Sequence, residues 1–383
     1  MAIEDIERID THAHVVPPFW KEYCQETGYG QADGIAEIPE WSAEAHLDLM
    51  KQVRVKKSIL SITSPGTHLV PHMTRKMTRD CNEYIAKLTR KNRDKFGFWA
   101  TLPLPDVAGS LTELEYALDK LDADGIVMLT NYNGRYVGDK EFDPVFKELN
   151  RRKVTVFIHP TTPCIKTPMG PMQASPISNW PSLIFEFIFE DTRGILNLFL
   201  TGMIDTYPDI RYISSHAGGS MFALAERFSI IAGHGGPETW PSLTPAGVRK
   251  ALKEKFFFDL AGFPFQGRIQ GLLEYVDASR LLYGSDFPYT PAENIVQSSA
   301  SMDKELPGWF PDEEDQKKAY YKNAEALLSG SSYSHKRGVD EKEYEGKERQ
   351  AIYCEELGPD LVLLRDVVGP AIQKLLQSSG AKA

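Results

Sequence analysis

The strongest constraint in this sequence is an alternation of short, β-branched apolar runs with longer stretches of helical periodicity. Eight runs predict strands: Ile6–Ile9, Lys57–Thr63, Phe96–Leu102, Gly125–Leu129, Val154–Ile158, Ile210–Ser214, Lys255–Asp259 and Leu281–Gly284. Seven stretches predict helices: Ala43–Val53, Met73–Asn92, Ser110–Leu121, Asp143–Arg151, Ile184–Thr201, Met221–Ile231 and Pro245–Leu252. Strands that alternate with helices indicate parallel βαβ units. Eight such units over about 330 residues favour an α/β fold of the (β/α)8 TIM-barrel type. An open doubly wound sheet stays possible, although no GxGxxG turn follows the first strand.

The composition favours a large core and argues against a nucleic-acid partner. Of the 383 residues, 42% are hydrophobic. The chain has 43 Lys and Arg against 53 Asp and Glu, a net charge of −10, and no basic stripe with interleaved aromatic residues. Such an acidic surface repels a phosphate backbone. No apolar run reaches the roughly 20 residues that a spanning helix needs, so we expect neither nucleic acid nor a membrane as a partner.

The cysteines and the N-terminus indicate a location. Cys24, Cys81, Cys164 and Cys354 are far apart, with no paired spacing. They are typical of free thiols in a reducing compartment, not of a disulfide framework or a thiolate zinc site. The first ten residues, MAIEDIERID, are acidic and lack the apolar segment of a signal peptide. We therefore expect a soluble protein of the cytoplasm.

The last part of the chain differs in character from residues 1–329, which contain all the predicted strands. Residues 330–351 are polar and charged, which predicts an extended connector. Leu357–Gln377 has apolar residues at helical spacing, interrupted by Gly369 and Pro370. Residues 330–383 are therefore predicted to form a connector and a C-terminal helical extension. Its apolar face would cover the barrel wall or a neighbouring subunit.

Ionisable side chains follow four of the predicted strands at the point where each strand ends. His12 and His14 follow the first strand, His159 the fifth, His216 the sixth and Asp286 the eighth. In a parallel barrel, the carboxyl ends of all eight strands open onto one face, and that face holds the active site. The side chains of alternate residues in an extended chain lie on the same face, so the two histidines of the first motif can bind one ion. We expect all five side chains at one mouth.

These residue types are suited to a catalytic metal. Imidazole nitrogen and carboxylate oxygen suit Zn²⁺ or Mn²⁺, and an N₃O set with an open position is typical of a catalytic site. Each motif alone also has a simpler interpretation, because a His-x-His pair can hydrogen-bond the backbone and His159 or Asp286 can be a turn residue. Five such residues at matching strand ends are hard to explain in that way. The sequence therefore predicts bound Zn²⁺, with Mn²⁺ as the alternative, and no organic cofactor.

The motifs after strands one, five, six and eight (His-x-His, HP, SHAGG and GSDFP) resemble those of the amidohydrolase superfamily. More narrowly, they resemble its non-hydrolytic aromatic-acid decarboxylases, the ACMSD-like branch. The intervening stretches are most similar to fungal 6-methylsalicylate decarboxylases: SILSITSPG (58–66), ADGIVMLTNY (123–132), RRKVTVFIHPT (151–161) and YISSHAGG (212–219). The similarity runs from about residue 6 to about residue 328, and residues 330–383 lie outside the family pattern.

The resemblance implies a non-oxidative decarboxylase of a hydroxybenzoate, most closely of 6-methylsalicylate to m-cresol or of a relative such as orsellinate. It implies His12, His14, His159 and Asp286 as ligands of a metal that acts as Lewis acid and template. It also points to Asp286 as the proton donor, which requires that one oxygen be free or that its metal bond be transient. His216 would donate a hydrogen bond or serve as the alternative acid or base. A glutamate that some relatives carry three residues after this histidine is Gly219 here, so the partner of His216 stays open.

Substrate contacts are predicted from chemistry and from the resemblance together. A carboxylate favours arginine, whose planar fork pairs with two oxygens. The resemblance suggests that Arg227 acts across a homodimer, with a solvated helix arginine as the alternative. Arg193 is expected to pair with Glu190 or Asp191 instead. Asn131 occupies a mouth position where relatives carry arginine. An aromatic ring needs an apolar slot, for which the candidates are Tyr132, Trp180, Phe185, Phe189 and Phe287.

Two other classes of function stay open. One is a metal-dependent hydrolase of a lactone or cyclic ester, in which His216 or Asp286 would activate a metal-bound water. Related hydrolases often carry two metals and a bridging lysine, but no lysine ends the fourth strand (GIVMLTNY), which favours one metal. The other is a catalytically idle barrel that serves as a binding partner. A full ligand set argues against this class, since the fold does not require those residues.

Overall fold

A parallel sheet of eight strands forms the centre of the molecule. The computed structural model describes residues 6–174, 180–235, 240–265 and 267–329 of the chain. The strands, in their order around the sheet, are β1 (Arg8–His14), β2 (Val55–Ser61), β3 (Phe96–Thr101), β4 (Gly125–Leu129), β7 (Thr155–His159), β10 (Arg211–Ser214), β11 (Phe256–Asp259) and β12 (Leu281–Leu282). Their residues are buried almost throughout, which explains why they form near-continuous apolar runs in the sequence.

The sheet closes on itself where the last strand meets the first. Ala13 forms a parallel bridge with Phe287. The amides of Ser285 and Asp286 both donate to the carbonyl of His12, at 3.2 and 2.7 Å. Closure leaves no open edge, and the predicted (β/α)8 barrel is confirmed.

Helices surround the barrel and mostly connect consecutive strands. They are α1 (Pro18–Glu26), α2 (Ala43–Gln52), α3 (Thr74–Lys91), α4 (Val107–Asp119), α5 (Asp143–Arg151), α6 (Glu186–Leu200), α7 (Met203–Thr206), α8 (Met221–Gly235), α9 (Pro245–Lys255), α10 (Arg268–Leu273), α11 (Ala292–Trp309), α12 (Glu313–Lys317) and α13 (Asn323–Ser329). Two short hairpins, β5 (Asn131–Tyr132) with β6 (Arg135–Tyr136) and β8 (Cys164–Thr167) with β9 (Gly170–Gln173), extend the loops after β4 and β7. Within the described ranges, no helix has the length and apolarity needed to cross a bilayer.

Helix α5 shows how local sequence produces these elements. Pro144 occupies its first turn, where backbone N–H groups have no partner within the helix, so the missing N–H of proline costs no hydrogen bond. Val145, Phe146 and Leu149 then fall on one face at helical spacing, and all three are buried. The remaining positions are mostly charged or polar and face solvent. The helix is therefore held by its apolar face against the barrel wall.

Apolar side chains fill the barrel interior beneath the mouth. This layer contains Ile9, Ile59, Trp99, Val127, Phe157, Ile213 and Leu282. Ala324 and Leu327 of α13 pack against the same layer. The ion pair of Glu325 with Lys56 at 2.7 Å, near the start of β2, places this helix at the amino ends of the strands. The barrel is thus closed at the end opposite to the mouth, and the mouth has a solid floor.

Several boundaries differ from the prediction, and two of them concern the site. The prediction that the first strand ends at Ile9 is wrong, because the polar residues from Asp10 to His14 are buried and continue the strand. The fifth strand likewise includes His159. Helices α1, α7 and α10 to α13 were not predicted. The predicted extension, residues 330–383, lies outside the described residues.

Candidate metal centre and active site

Three imidazoles and one carboxylate converge at the carboxyl end of the barrel. One ligand atom from each of His12, His14, His159 and Asp286 lies within 4.8 Å of the others. Nε2 of His12 is 3.2 Å from Nε2 of His14. Oδ1 of Asp286 is 3.3 Å and 3.1 Å from these two nitrogens. All three imidazoles are buried. The strand-end residues therefore meet, as the alternation of strands and helices predicts.

The outer nitrogen of each imidazole has a partner that fixes its tautomer. Nδ1 of His12 donates to Oδ2 of Asp259 at 3.1 Å. Nδ1 of His14 donates at 3.0 Å to Oγ of Ser61, whose own proton goes to a backbone carbonyl. Nδ1 of His159 donates to the carbonyl of the next residue at 2.7 Å. A neutral ring with its proton on Nδ1 directs the lone pair of Nε2 toward the other ligands.

Three converging lone pairs beside a carboxylate need a cation between them. Burial, and then His14 and His12, hold the pKa of His159 well below its ordinary value. Burial also lowers the pKa of His14, so both rings are neutral. Burial opposes the charge on His12, but the carboxylates of Asp259 and Asp286 outweigh it and raise its pKa. A divalent metal would supply this positive charge in place of a proton, and the donor set fits one.

The two oxygens of Asp286 face different groups. Oδ1 faces His12 and His14, as described above. Oδ2 accepts a hydrogen bond from the Thr290 hydroxyl at 3.2 Å and lies 3.7 Å from Nε2 of His216. The backbone of Asp286 has a φ of 61°, a left-handed conformation that costs free energy in a non-glycine residue. One oxygen is thus directed to the metal ligands while the other faces Thr290 and His216.

His216 is held by a carboxylate from helix α6, not from a barrel strand. Its Nδ1 donates to Oδ2 of Asp191 at 3.0 Å. The hydroxyl of Ser215 donates to the other oxygen of Asp191 at 2.6 Å. Burial alone would lower the pKa of His216, but the hydrogen bond to Asp191 and the nearby carboxylate of Asp286 raise it to about 9. The ring therefore carries a proton on Nε2 at neutral pH, on the side that faces the cavity.

A cavity of about 350 Å³ opens above the ligand group. His159, His216 and Asp286 form part of its lining. An apolar wall is formed by Leu183, Ile184, Phe187, Ile188 and Phe263. Among the described lining residues, Arg268 is the one arginine or lysine. An apolar cavity of this size with a few convergent polar groups is typical of a small-molecule site.

The family model for amidohydrolases matches residues 9–329, which contain the whole ligand set. The chain belongs to the amidohydrolase family. This amidohydrolase is 35% identical over 300 residues to the decarboxylase yanB of Aspergillus niger, covering 76% of this chain and 79% of the relative. It is 33% identical over 307 residues to the 6-methylsalicylic acid decarboxylase of Penicillium expansum, covering 78% of this chain and 91% of the relative. The resemblance inferred from the motifs is confirmed.

Solved structures share the amidohydrolase barrel. A dihydroxybenzoic acid decarboxylase of Polaromonas, solved with bound manganese and an inhibitor, superimposes with a TM-score of 0.68 at 18% identity and covers 85% of this chain and 97% of that one. A crystal structure described as an amidohydrolase II superimposes with a TM-score of 0.73 at 26% identity and covers 84% of this chain and 100% of that one. Both likenesses agree with the closed eight-stranded sheet.

Three residues predicted to contact substrate are buried beside the cavity of this amidohydrolase but do not line it. The amide of Asn131 donates to Glu190 at 3.0 Å. The hydroxyl of Tyr132 accepts a hydrogen bond from the backbone amide of Leu129 at 3.0 Å. Phe287 packs edge-on against His46, with ring centroids 5.0 Å apart. Each is thus held by contacts within the protein.

The other aromatic candidates lie on the α6 side of the barrel. Trp180 and Phe189 are 61% and 44% exposed. The ring of Phe185 lies 6.5 Å from that of Phe189. None of the three lines the cavity in the described part of the chain, whereas Phe187 and Ile188 of the same segment do. The structure therefore brings a neighbouring part of this segment to the site.

The two predicted arginines also lie outside the cavity. Arg227 is exposed on α8 and does not line the cavity of its own chain. Arg193 pairs with Glu190 at 2.7 Å, one of the two partners expected for it. The other, Asp191, faces His216 instead. The open question about the partner of this histidine is thereby answered.

Five ionisable residues of the site were missed from the sequence. Asp259 ends β11, so the strand-end rule that found the ligands could have found it. Asp191 and Arg268 lie on α6 and α10, and Asp33 and Tyr289 lie in loops. Their local sequence gives no signal, because only the folded barrel brings these helices and loops over the mouth.

Proposed function

We propose that this chain is a metal-dependent, non-oxidative decarboxylase of a hydroxybenzoate, acting on 6-methylsalicylate to give m-cresol or on a relative such as orsellinate. The observation that carries the proposal is that the four-ligand group and the His216–Asp191 pair meet beneath one cavity with an apolar wall. His159, His216 and Asp286 reach the cavity itself. The similarity to the 6-methylsalicylic acid decarboxylase of Penicillium expansum supports the choice of substrate.

The metal would be held by the four residues of the ligand group, His12, His14, His159 and Asp286. When bound, it supplies a Lewis acid for the hydroxyl and carboxylate oxygens of the substrate. We propose Zn²⁺, because zinc favours imidazole nitrogen combined with one carboxylate. Manganese, which the Polaromonas decarboxylase structure contains, is the alternative. Reconstitution of the metal-free protein with each ion separately, followed by metal analysis and assay, decides between them.

Arg268 is suited to hold the substrate carboxylate. Its guanidinium donates to the carbonyl of His216 at 2.6 Å and to the carbonyl of Gly262, which fixes it at the cavity wall. Five N–H groups in a planar fork leave further donors for a carboxylate. The apolar wall, with Phe187 and Ile188, would hold the ring against this end. The carboxylate is then anchored while the ring carbon that bears it faces His216.

The chemical step requires one proton at that ring carbon. We propose that Nε2 of His216 donates it, directly or through Oδ2 of Asp286, which lies 3.7 Å away. The carbon–carbon bond to the carboxylate then breaks, CO₂ leaves, and the bonding electrons stay with the ring. Asp191 keeps Nδ1 of His216 occupied, so the exchangeable proton is the one on Nε2.

The direct test is turnover. We expect the metal-loaded protein to consume 6-methylsalicylate or orsellinate and to release one equivalent of CO₂ and the corresponding phenol. The metal-free protein and the protein with 3-hydroxybenzoate, which lacks an ortho hydroxyl, serve as controls. If no hydroxybenzoate is decarboxylated with either metal, the proposal is wrong. Cleavage of lactones instead would indicate a hydrolase.

We also propose a homodimer in which Arg227 reaches the partner's site. Exposed apolar side chains on α8 support an interface there, with Leu224, Ile230 and Ile231 exposed at 41%, 45% and 54%. Mixing Arg227→Ala and Asp286→Ala subunits tests this. Random mixing would restore about a quarter of the wild-type activity if Arg227 acts in trans, because half of the dimers then contain one complete site. No restoration from two inactive variants would contradict it.

A cytoplasmic location is proposed as well. Cys24, Cys81 and Cys164 are free and buried, as suits a protein of a reducing compartment. Fluorescence microscopy of the tagged full chain, with a cytoplasmic and a secretory marker, checks this.

A further inference from the structure

Two polar side chains of the cavity, Asp33 and Tyr289, have no role in the chemistry described above. Asp33 lies on the side of the mouth formed by the loops after β2 and β7, where it contacts Ser64 and Thr162. Arg268 lies instead beside the loops after β10 and β11. The two charged side chains therefore lie in different parts of the mouth, with Arg268 on one side and Asp33 on another.

Asp33 is fixed in place by its surroundings. It has a left-handed φ of 57° in a short turn, a conformation that aspartate tolerates better than most residues. The hydroxyl of Thr162 donates to Oδ1 of Asp33. Burial raises the pKa of Asp33, and hydrogen bonds from Thr162 and Ser64 act in the opposite direction. A carboxylate has about four acceptor positions, so at least one is left for a ligand.

Tyr289 presents a buried hydroxyl that has no hydrogen-bond partner among the described residues. Its ring packs edge-on against the ligand His14, with centroids 5.7 Å apart, and the residue lines the cavity. Asp33 lines the same cavity, so a ligand there can meet both this hydroxyl and the carboxylate. A buried hydroxyl without a partner costs free energy unless a ligand supplies one.

The pair consists of one free donor and one free acceptor that do not bond to each other. A ligand hydroxyl satisfies both, because it donates to the carboxylate of Asp33 and accepts from the hydroxyl of Tyr289. A methyl group satisfies neither, a ketone satisfies only the donor, and a second carboxylate would be repelled by Asp33. The chemistry of the pair therefore selects a hydroxyl.

We propose that Asp33 and Tyr289 form a subsite for a second ring hydroxyl, so that the preferred substrate is a dihydroxybenzoate and not its monohydroxy analogue. This inference rests on the proposed function, in which the ortho hydroxyl and the carboxylate are held between the metal and Arg268. A hydroxyl elsewhere on the ring then remains for Asp33 and Tyr289. Within the substrate class named above, the pair favours compounds related to orsellinate over 6-methylsalicylate.

The test compares substrate pairs that differ by one hydroxyl. The values of kcat/KM are measured for orsellinate against 6-methylsalicylate, and for each dihydroxybenzoate with an ortho hydroxyl against 2-hydroxybenzoate. We expect the wild-type protein to prefer at least one dihydroxy compound by about tenfold or more. A substrate without the second hydroxyl leaves the buried polar groups of Asp33 and Tyr289 unpaired. Tyr289→Phe and Asp33→Gly should each reduce that preference to within about twofold. Glycine keeps the left-handed turn without strain.

Tyr212→Phe is the matched control. The hydroxyl of Tyr212 is also buried without a partner among the described residues, but it lies on β10 and does not line the cavity. This variant should keep the wild-type preference. Equal kcat/KM within every pair for the wild-type protein, or a preference that survives both cavity variants, would overturn the inference.

Binding separates this inference from the proposed function. Calorimetric titration of the metal-loaded protein with resorcinol, catechol, hydroquinone and phenol measures the hydroxyl preference without any turnover. Tighter binding of a dihydroxy compound that is lost in Tyr289→Phe supports the subsite even if no acid is decarboxylated. Turnover of hydroxybenzoates with no such preference, in rate or in binding, leaves the function intact and the subsite refuted.

Discussion

Asp191 accepts a hydrogen bond from Nδ1 of His216 at 3.0 Å, and this contact determines which face of the imidazole reaches the cavity. The carboxylate comes from α6, whereas the histidine follows β10. Because Nδ1 is occupied, Nε2 is the nitrogen directed toward Oδ2 of Asp286. A helix outside the barrel thus orients an imidazole at its mouth.

Replacing this carboxylate by an amide tests the orientation. We expect Asp191→Asn to lower kcat by about 10- to 100-fold with little change in metal content, since a partner that orients an active-site imidazole has effects of that size. Glu190→Gln on the same helix is the control, because Glu190 is equally buried but bonds to Asn131 and Tyr136 outside the cavity. Steady-state kinetics and metal analysis of both variants provide the measurements. Wild-type kcat in Asp191→Asn would show that the contact is structural only.

Removing one ligand tests the metal centre. His159→Ala should lose most of the bound cation and lower turnover by at least about 100-fold, because the three remaining ligands bind the ion more weakly. His46→Gln is the matched control, since His46 is also buried but bonds to Trp41 and Ser58 and not to the ligand group. Cation content is read by mass spectrometry of the purified proteins. Full cation content together with full turnover in His159→Ala would contradict the site.

Arginine at position 268 is predicted to recognise the substrate carboxylate. Arg268→Lys should raise KM for the acid by about tenfold or more, because lysine cannot form the two-pronged contact. Inhibition by the phenol product, which has no carboxylate, should change little. Arg249→Lys is the control, since Arg249 is exposed and stacks on Tyr275 away from the cavity. An equal loss of affinity for acid and phenol would argue for a structural role of Arg268.

His46 predicts a pH dependence of stability. Its Nδ1 accepts a hydrogen bond from the indole N–H of Trp41 at 3.1 Å. Burial lowers the pKa of His46 from 6.5 to about 3, so its ring is neutral in the folded protein. The unfolded chain therefore binds this proton more readily, and the stability present above about pH 6.5 is lost as the pH falls toward about 3. Between about pH 7.5 and pH 5, the wild-type protein should lose about 2 kcal/mol more unfolding free energy than His46→Gln. Urea unfolding of the metal-loaded proteins measures this difference, and parallel losses would contradict it.

The barrel and its ligands could be predicted because both follow from short-range patterns. Each buried strand is an apolar run, and in a parallel barrel every run ends at the same face. This rule brought His12, His159 and Asp286 together without any knowledge of the helices between them. The error at the end of the first strand had a physical cause, since polar residues such as Asp10 are buried there among hydrogen-bond partners instead of lying in a loop.

The walls of the cavity could not be predicted in the same way. Aromatic residues occur throughout the segment after β9, and which of them faces inward depends on how that segment crosses the mouth. Phe187 lines the cavity, whereas Phe189, only two residues later, is 44% exposed. Asp33 reaches the cavity from the long connection between α1 and α2, held there by Thr162. Such placements depend on contacts distant in sequence.

The carbonyl of His12 accepts the amides of both Ser285 and Asp286, so the junction that completes the barrel also sets the distance between two of the ligands. Barrel closure and metal geometry therefore cannot vary independently. An insertion or deletion between Tyr283 and Asp286 would displace a ligand whatever the substrate, whereas a change in the connection that bears Asp33 would leave the four ligands in place. Descendants of this chain would thus acquire new specificities by exchanging loops around an inherited centre.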